Sequence, residues 1–223
     1  VWYRRNIEIP DEYKGSDIIL HFGAVDYYAI VYVNGEKVTE HKGGYTPFSA
    51  NITEYLKDSD NYITLCAYDD IRSHNQPGGK QSFLYDSHDC YYTRTTGIWQ
   101  TVWMEFVNKA RIDSVKITTN TDEYTVTIGL KSTVDAVGKY VLIETFWDSN
   151  ATGALKTHLS STYTEITIAL TEKHLWKVGK GGLYDLKLTL FDGNDICDSV
   201  SSYFGVRSVY LNKRAFMLNG KSV

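Results

Sequence analysis

An all-β chain of two sandwiches is what this sequence predicts. Apolar residues alternate with polar ones at period two, turn chemistry punctuates the alternating segments, and 223 residues leave room for two domains of about 100 residues each. The first strands are marked by Ile7 and Ile9, then by Ile18, Leu20 and Phe22, then by Val31 and Val33, then by Leu65 and Ala67. Each set turns one face to a core and the other to water. Between segments 29–33 and 36–38, Asn34-Gly35 predicts a type I′ hairpin, because both central residues tolerate positive φ, and that fixes the register of the pair. Residues 51–56 read as a single helical turn with Asn51 or Thr53 near its N-cap. From 70 to 95 the alternation lapses into a polar, aromatic-studded stretch containing Gln76-Pro77-Gly78-Gly79-Lys80. Connections longer than about 12 to 15 residues are usually functional or disordered. Strand pattern resumes over 98–107. A second set follows at 112–118, 124–130, 140–147, 165–170, 184–191 and 199–206, the spacing of an immunoglobulin-like sandwich of about seven strands without the paired cysteines and central tryptophan of antibody domains. Asn108-Lys109-Ala110-Arg111 marks the boundary, which gives a first domain at 1–108, a second at 109–206 and a remainder at 207–223. In that remainder, Leu218-Asn219-Gly220-Lys221-Ser222-Val223 begins a hairpin at an Asn-Gly turn and is expected to stop before any returning strand.

Composition excludes several partners. A formal charge of -4 with no Lys/Arg run lacks the clustered basic residues that neutralise phosphates, so nucleic acid is not expected. No apolar run approaches the roughly 20 residues of a membrane span, so no membrane partner is expected either. The opening Val1-Trp2-Tyr3-Arg4-Arg5 carries no apolar signal core, and the compartment stays undecided between cytoplasm and periplasm or exterior. Cys66, Cys90 and Cys197 are odd in number and widely spaced, which predicts free thiols.

The long loop concentrates the chemistry. Tyr85, Tyr91, Tyr92 and Trp99 stand near Asp86, Asp89, Arg94 and Gln100, the mixture that binds sugars: aromatic faces stack on the C–H faces of a pyranose while polar groups exchange hydrogen bonds with hydroxyls. The competing reading is that tyrosines in a sandwich fill the core or tie down loops, and the chain has 18 of them. Asp69-Asp70, closing the strand at 62–68, does not make a catalytic pair. Retaining glycosidases hold two carboxyl groups about 5 to 5.5 Å apart, whereas adjacent strand residues point to opposite faces. One of the two reaches a sugar hydroxyl, or both are solvated or cap a turn. His74, His88 and Cys90 lack the spacing of a zinc site, and neither metal nor cofactor is expected. Ser87-His88-Asp89 is contiguous, whereas triads are assembled from separated segments. Lys180-Gly181-Gly182 precedes a strand rather than a helix, so it is not a phosphate loop. The sequons Asn51-Ile52-Thr53 and Asn150-Ala151-Thr152 matter only in a glycosylating host.

Segment 25–53 resembles the sugar-binding domain of glycoside hydrolase family 2, the family of β-galactosidases, β-glucuronidases and β-mannosidases. The resemblance runs in order through Trp2-Tyr3-Arg4-Arg5, the Val33-Asn34-Gly35 hairpin, Gly43-Gly44-Tyr45-Thr46-Pro47-Phe48, Thr93-Arg94-Thr95-Thr96-Gly97-Ile98-Trp99-Gln100 and Phe204-Gly205-Val206-Arg207. It implies a jelly-roll sugar-binding domain over 1–108 and an immunoglobulin-like sandwich over 109–206. After these comes a (β/α)8 barrel with two glutamates acting by retention, of which 207–223 is the truncated start. No catalytic residue is then expected in this chain. By position Asp70 resembles the aspartate that β-galactosidases direct at substrate hydroxyls, and Arg94 and Trp99 are the other substrate-binding candidates. Gln100 stands where the family often has arginine. The implied function is that of the non-catalytic front of a retaining, β-galactosidase-like exo-glycosidase. Its partners are a terminal β-glycoside and the barrel in cis, with assembly into a homo-oligomer left open. A stand-alone carbohydrate-binding module and a purely structural support are the alternatives.

Overall fold

The computed structural model describes every residue except Ile71 and His74. The chain folds as two compact units, Val1–Val107 and Asn108–Val223. In chain order the first unit contains β1 (Trp2–Ile7), β2 (Asp17–Phe22), β3 (Val25–Asp26), β4 (Tyr28–Val33), β5 (Glu36–Lys42), β6 (Phe48–Asn51), β7 (Asn61–Tyr68), β8 (Gly97–Ile98) and β9 (Val102–Val107). They form an antiparallel sheet in the order β1-β7-β4-β5, a second in the order β6-β2-β9, and the short pair β3-β8. The alternation read from sequence is what joins the two larger sheets. Ile18, Leu20 and Phe22 of β2 pack against Val31 and Val33 of β4 and Leu65 and Ala67 of β7, all buried. Burying each large aliphatic or aromatic side chain contributes roughly 1.5–3 kcal/mol.

The hairpin at Asn34-Gly35 has positive φ at both residues, 52° and 89°. The Asn34 side chain adds a second reason for that residue. Its Nδ2 donates to Asn61 Oδ1 (2.7 Å) and to the Tyr55 carbonyl (2.8 Å), and its Oδ1 accepts from the Tyr62 amide (3.0 Å), fastening the hairpin to β7. The helical turn expected at 51–56 is a 3-10 turn at Thr53–Tyr55, where Asn51 Oδ1 accepts from the Thr53 amide (3.0 Å) and hydroxyl (2.6 Å). The strand read as continuous over 98–107 is broken at Trp99, Gln100 and Thr101, which separates β8 from β9.

The second unit contains β10 (Ile112–Asn120), β11 (Thr125–Ser132), β12 (Tyr140–Trp147), β13 (Asn150–His158), β14 (Tyr163–Ala169), β15 (Tyr184–Asp192) and β16 (Asp195–Phe204). The sheet β10-β11-β14 packs on β13-β12-β15-β16, as an immunoglobulin-like count of strands requires. Val126, Ile128 and Leu130 of β11 meet Val141 and Ile143 of β12 and Leu186, Leu188 and Leu190 of β15 in the core. β13 is absent from the strands read in sequence. It is an edge strand, mostly exposed on both faces, so no apolar alternation marks it.

Three short strands, β17 (Val209–Asn212), β18 (Ala215–Leu218) and β19 (Lys221–Ser222), form a further antiparallel sheet. They correct one expectation: a strand does return after Asn219-Gly220, with Leu218 paired to Lys221 and Met217 to Ser222. Positive φ at Asn219 (49°) and Gly220 (75°) reverses the chain tightly enough for the very next residues to pair. Cys66, Cys90 and Cys197 are free thiols. Among the described residues, no helix is long and apolar enough to cross a membrane.

Candidate functional site

The segment between β7 and β8 is folded back on the first unit by a few side-chain staples. Gln81, 5% exposed, is the principal one. Its Nε2 donates to Asp26 Oδ2 of β3 (2.9 Å) while its Oε1 accepts from the Thr95 amide (3.0 Å), so one amide ties both arms of the loop to the sandwich. The main chain adds reciprocal bonds, Ser82 amide to Tyr92 carbonyl (2.7 Å) and Tyr92 amide to Lys80 carbonyl (2.9 Å). Asp69, just past β7, accepts from the Thr96 hydroxyl through Oδ2 (3.0 Å) and from Gln76 Nε2 through Oδ1.

Over this frame sit three aromatic rings. Trp99 Nε1 donates to the Gly44 carbonyl (2.7 Å), and its ring meets that of Tyr45 edge-on at 5.8 Å and 69°. A β-carbon on Gly79 would lie 3.2 Å from the Tyr45 hydroxyl and 3.5 Å from that of Tyr92, which brings Tyr92 into the same group. Tyr45, Tyr92 and Trp99 are 56%, 46% and 51% exposed. Below them the main chain at Gly44 presses on Asp26. A β-carbon there would stand 2.4 Å from Asp26 Oδ1, so any side chain at this position would force Asp26 or the turn to shift.

The electrostatics of the floor are one-signed. Asp26 is 7% exposed, and burial pushes its carboxyl above the ordinary carboxylate range; the Gln81 hydrogen bond opposes that rise and the charge of Asp69 adds to it. Its Oδ2 is held by Gln81, and its Oδ1 accepts no hydrogen bond from the described residues. Burial also raises the Tyr45 hydroxyl, with Tyr92, Asp26 and Asp69 pushing in the same direction. The result is a half-exposed aromatic surface over buried acceptors. Such a surface can stack on an apolar sugar face and take hydrogen bonds from hydroxyls. It is poorly made for covalent catalysis, since both Asp69 oxygens are already engaged and Asp26 lies under Gly44.

Among the residues singled out in the sequence, Trp99 lies in the aromatic group. Asp70 is exposed, and its Oδ1 accepts from the Arg72 amide (3.3 Å) while its carbonyl accepts from the Ser73 amide (2.8 Å) at a turn. Arg94 is half-buried with its guanidinium 4.7 Å from the Tyr85 ring centre. In the run Ser87-His88-Asp89, His88 Nδ1 is 3.1 Å from the hydroxyl of Ser82 rather than of Ser87, and its ring stacks on Tyr91 at 5.2 Å. His74, named with His88 and Cys90, lies outside the described residues. Asp26, Tyr45 and Gln81 were not singled out. For Asp26 a signal existed: a carboxylate directly after Val25, in an apolar stretch whose neighbours are core, is a residue type almost never buried without a partner.

Both units match one protein family. The model for the glycosyl hydrolases family 2 sugar binding domain matches residues 1–107, and that for glycosyl hydrolases family 2 matches 110–207. The chain is 28% identical over 228 residues to a beta-galactosidase of Thermoanaerobacter pseudethanolicus, a match spanning 99% of this chain and 30% of that protein. It is 25% identical over 234 residues to a beta-glucuronidase of Streptococcus agalactiae, spanning 100% of this chain and 38% of that one. The crystal structure of a Bacteroides uniformis beta-glucuronidase superposes with a TM-score of 0.79 at 26% identity, covering 99% of this chain and 28% of its own. A Ruminococcus gnavus beta-glucuronidase in complex with D-glucaro 1,5-lactone shares the fold, with a TM-score of 0.76 at 19% identity over 100% of this chain and 38% of its own. The chain therefore spans between 30% and 38% of the length of these two curated relatives.

Proposed function

Given that this chain belongs to glycosyl hydrolase family 2, we propose that it is the non-catalytic, sugar-binding front of a retaining exo-glycosidase acting on terminal β-glycosides, β-galactosides foremost. The observation that carries this reading is the aromatic group Tyr45, Tyr92 and Trp99 over the Asp26 and Asp69 carboxylates, on the unit that the sugar binding domain matches. Trp99 supplies a stacking face. The remaining lone pairs of the half-buried Asp69 carboxylate accept from sugar hydroxyls, and buried Asp26 holds the loop beneath them through Gln81. Asp70, at the exposed turn beyond β7, and Arg94, laid over Tyr85, are the outer candidates for contact with the glycoside. Bond cleavage in the whole protein falls to two carboxyl groups elsewhere, on the barrel that the family implies.

Calorimetric titration of this chain with methyl β-galactopyranoside tests the reading. A dissociation constant between about 1 μM and 1 mM is expected, a range of about -8 to -4 kcal/mol. Trp99→Ala should weaken binding at least about tenfold. Absence of binding would remove the sugar-binding half of the proposal. Hydrolysis of an aryl β-galactoside by the chain itself, lost in Asp69→Asn, would remove the non-catalytic half.

A further inference from the structure

One long side of the first sandwich is open. β1 pairs only with β7 and β9 only with β2, so each ends its sheet. Between these two edges runs a cleft of about 880 Å³, lined by residues 3–8 along one lip and 102–104 along the other. Its floor is the core of the sandwich itself: Leu20 and Phe22 of β2 with Ile63 and Leu65 of β7. Native interiors leave few voids larger than a water molecule, so a cleft of this size over a core marks a part of the fold that these residues do not supply. We propose that an extended strand of the whole protein, from outside these 223 residues, lies in this cleft, pairs with the free edges of β1 and β9 and closes the first sandwich. The inference is independent of the sugar site and rests only on the reading of this chain as part of a longer protein.

Backbone, side chains and charge each specify the occupant. Alternate residues of an antiparallel edge turn their N–H and C=O groups outward, and two six-residue edges offer such a row over about 20 Å each. A chain in extended conformation satisfies a row of that spacing. Val102 is paired with Phe22 and so faces the core, yet it is 37% exposed where Phe22 is 1%. Met104, opposite Leu20, is likewise only half-buried. The occupant therefore turns apolar residues inward at every second position. Arg5 is paired with Ile63, which sets it on the core-facing side of β1, and it is exposed. Among the described residues no ion pair includes it. A cation pointing toward a core is a cost when unpaired, and an Asp or Glu opposite Arg5 on the occupant offsets it. Glu8, at the far end of the same lip, favours a cation on the strand beside it. The two arginines also disfavour a second copy of this chain, because full-length antiparallel pairing of β1 with itself sets Arg4 opposite Arg5. Relatives have chain to spare for such a strand, since the match spans 30% of one and 38% of another.

Hydrogen exchange of the whole protein, read by mass spectrometry beside that of this 223-residue chain, tests the inference without any substitution. Amides of residues 2–7 and 102–107 should exchange at least about a hundredfold more slowly in the whole protein than in this chain. Photo-crosslinking from p-benzoylphenylalanine placed at Val102 of the whole protein then identifies the occupant. The expected partner is a segment of the same polypeptide outside these residues, apolar at alternate positions and carrying Asp or Glu. Arg5→Glu in the whole protein should speed exchange of both edges at least about tenfold. Equal exchange in the two proteins overturns the inference and leaves the sugar-binding reading standing. Unchanged exchange in Arg5→Glu overturns the charge match. A crosslink to a second copy, or edge protection in this chain that grows with its concentration, overturns the inference in favour of self-association. A natural gene that encodes nothing beyond these residues overturns both the inference and the reading of a longer protein.

Discussion

The two units are both β-sandwiches, and each holds an aromatic group in an environment opposite to the other's. In the second, Tyr184 is wholly buried between Phe204 (5.1 Å, parallel) and Trp147 (5.0 Å, edge-on), with its hydroxyl accepting from the His174 amide (2.8 Å) and donating to the Glu172 carbonyl (2.7 Å). In the first, Tyr45, Tyr92 and Trp99 stand roughly half exposed on loops, and among the described residues the Trp99 indole N–H is the one side-chain hydrogen bond that ties them to the frame. A buried ring gains roughly 25 cal/mol for every Å² it removes from water, and a half-exposed one forgoes much of that until a ligand covers it. One arrangement serves stability; the other is the surface proposed above for recognition. The difference teaches that the sandwich fold alone does not locate function, and that the loop departing from it is where to test for it.

If the division is real, substitutions should separate stability from binding. The largest effect is expected from Leu188→Ala in the core of the second unit, which should lower unfolding free energy by about 2–5 kcal/mol in denaturant titrations and leave sugar affinity unchanged. A fall in affinity of the folded variant would break the comparison. Gly44→Ala comes next, because its β-carbon would meet Asp26 Oδ1 at 2.4 Å. It should cost about 1–3 kcal/mol and weaken sugar binding together, since the turn it displaces carries the Gly44 carbonyl that accepts from Trp99. Tyr184→Phe should cost about 1 kcal/mol by leaving a part-buried amide and carbonyl without their partner, again without touching affinity. Trp99→Ala is its mirror image, with tenfold or greater loss of affinity and a stability change of about 1 kcal/mol or less.

The smallest effect is one of pH. Asp26 in the folded chain has a carboxyl raised by burial, so its ionised form opposes folding at neutral pH. As pH falls through that raised value toward the ordinary carboxylate value near ~4, the folded state takes up the proton before the unfolded chain does. Stability contributed by this group then rises with acidification and levels off below the unfolded value. Asp26→Asn should flatten that part of the melting temperature profile, and an unaltered profile would contradict the assignment.

Strands whose apolar residues face a core were legible in the sequence. Ile18, Leu20 and Phe22, and Val31 and Val33, announce themselves because burial on one face imposes a period of two. β13 was not legible, because an edge strand with two wet faces carries no such period. The candidate site was half legible. The aromatic and polar composition of the loop, and Trp99 in particular, can be read from residue types. The choice between Asp69 and Asp70 cannot. Alternation says only that they face opposite ways, and the loop's return through Gln76 and Thr96 decides which one turns inward. Nor does sequence reveal that Gln81, far along the chain from Asp26, closes on it; that contact depends on how the loop folds back.

The most direct test follows individual amides by NMR while the chain is titrated with methyl β-galactopyranoside. Saturable shifts confined to the first unit, centred on Gly44, Tyr45, Gln81 and Trp99, with the Trp99 indole N–H among the largest and the second unit silent, are the predicted result. Shifts centred on the second unit, or none at saturating sugar, would contradict the claim that recognition resides in the aromatic and carboxylate surface of the first.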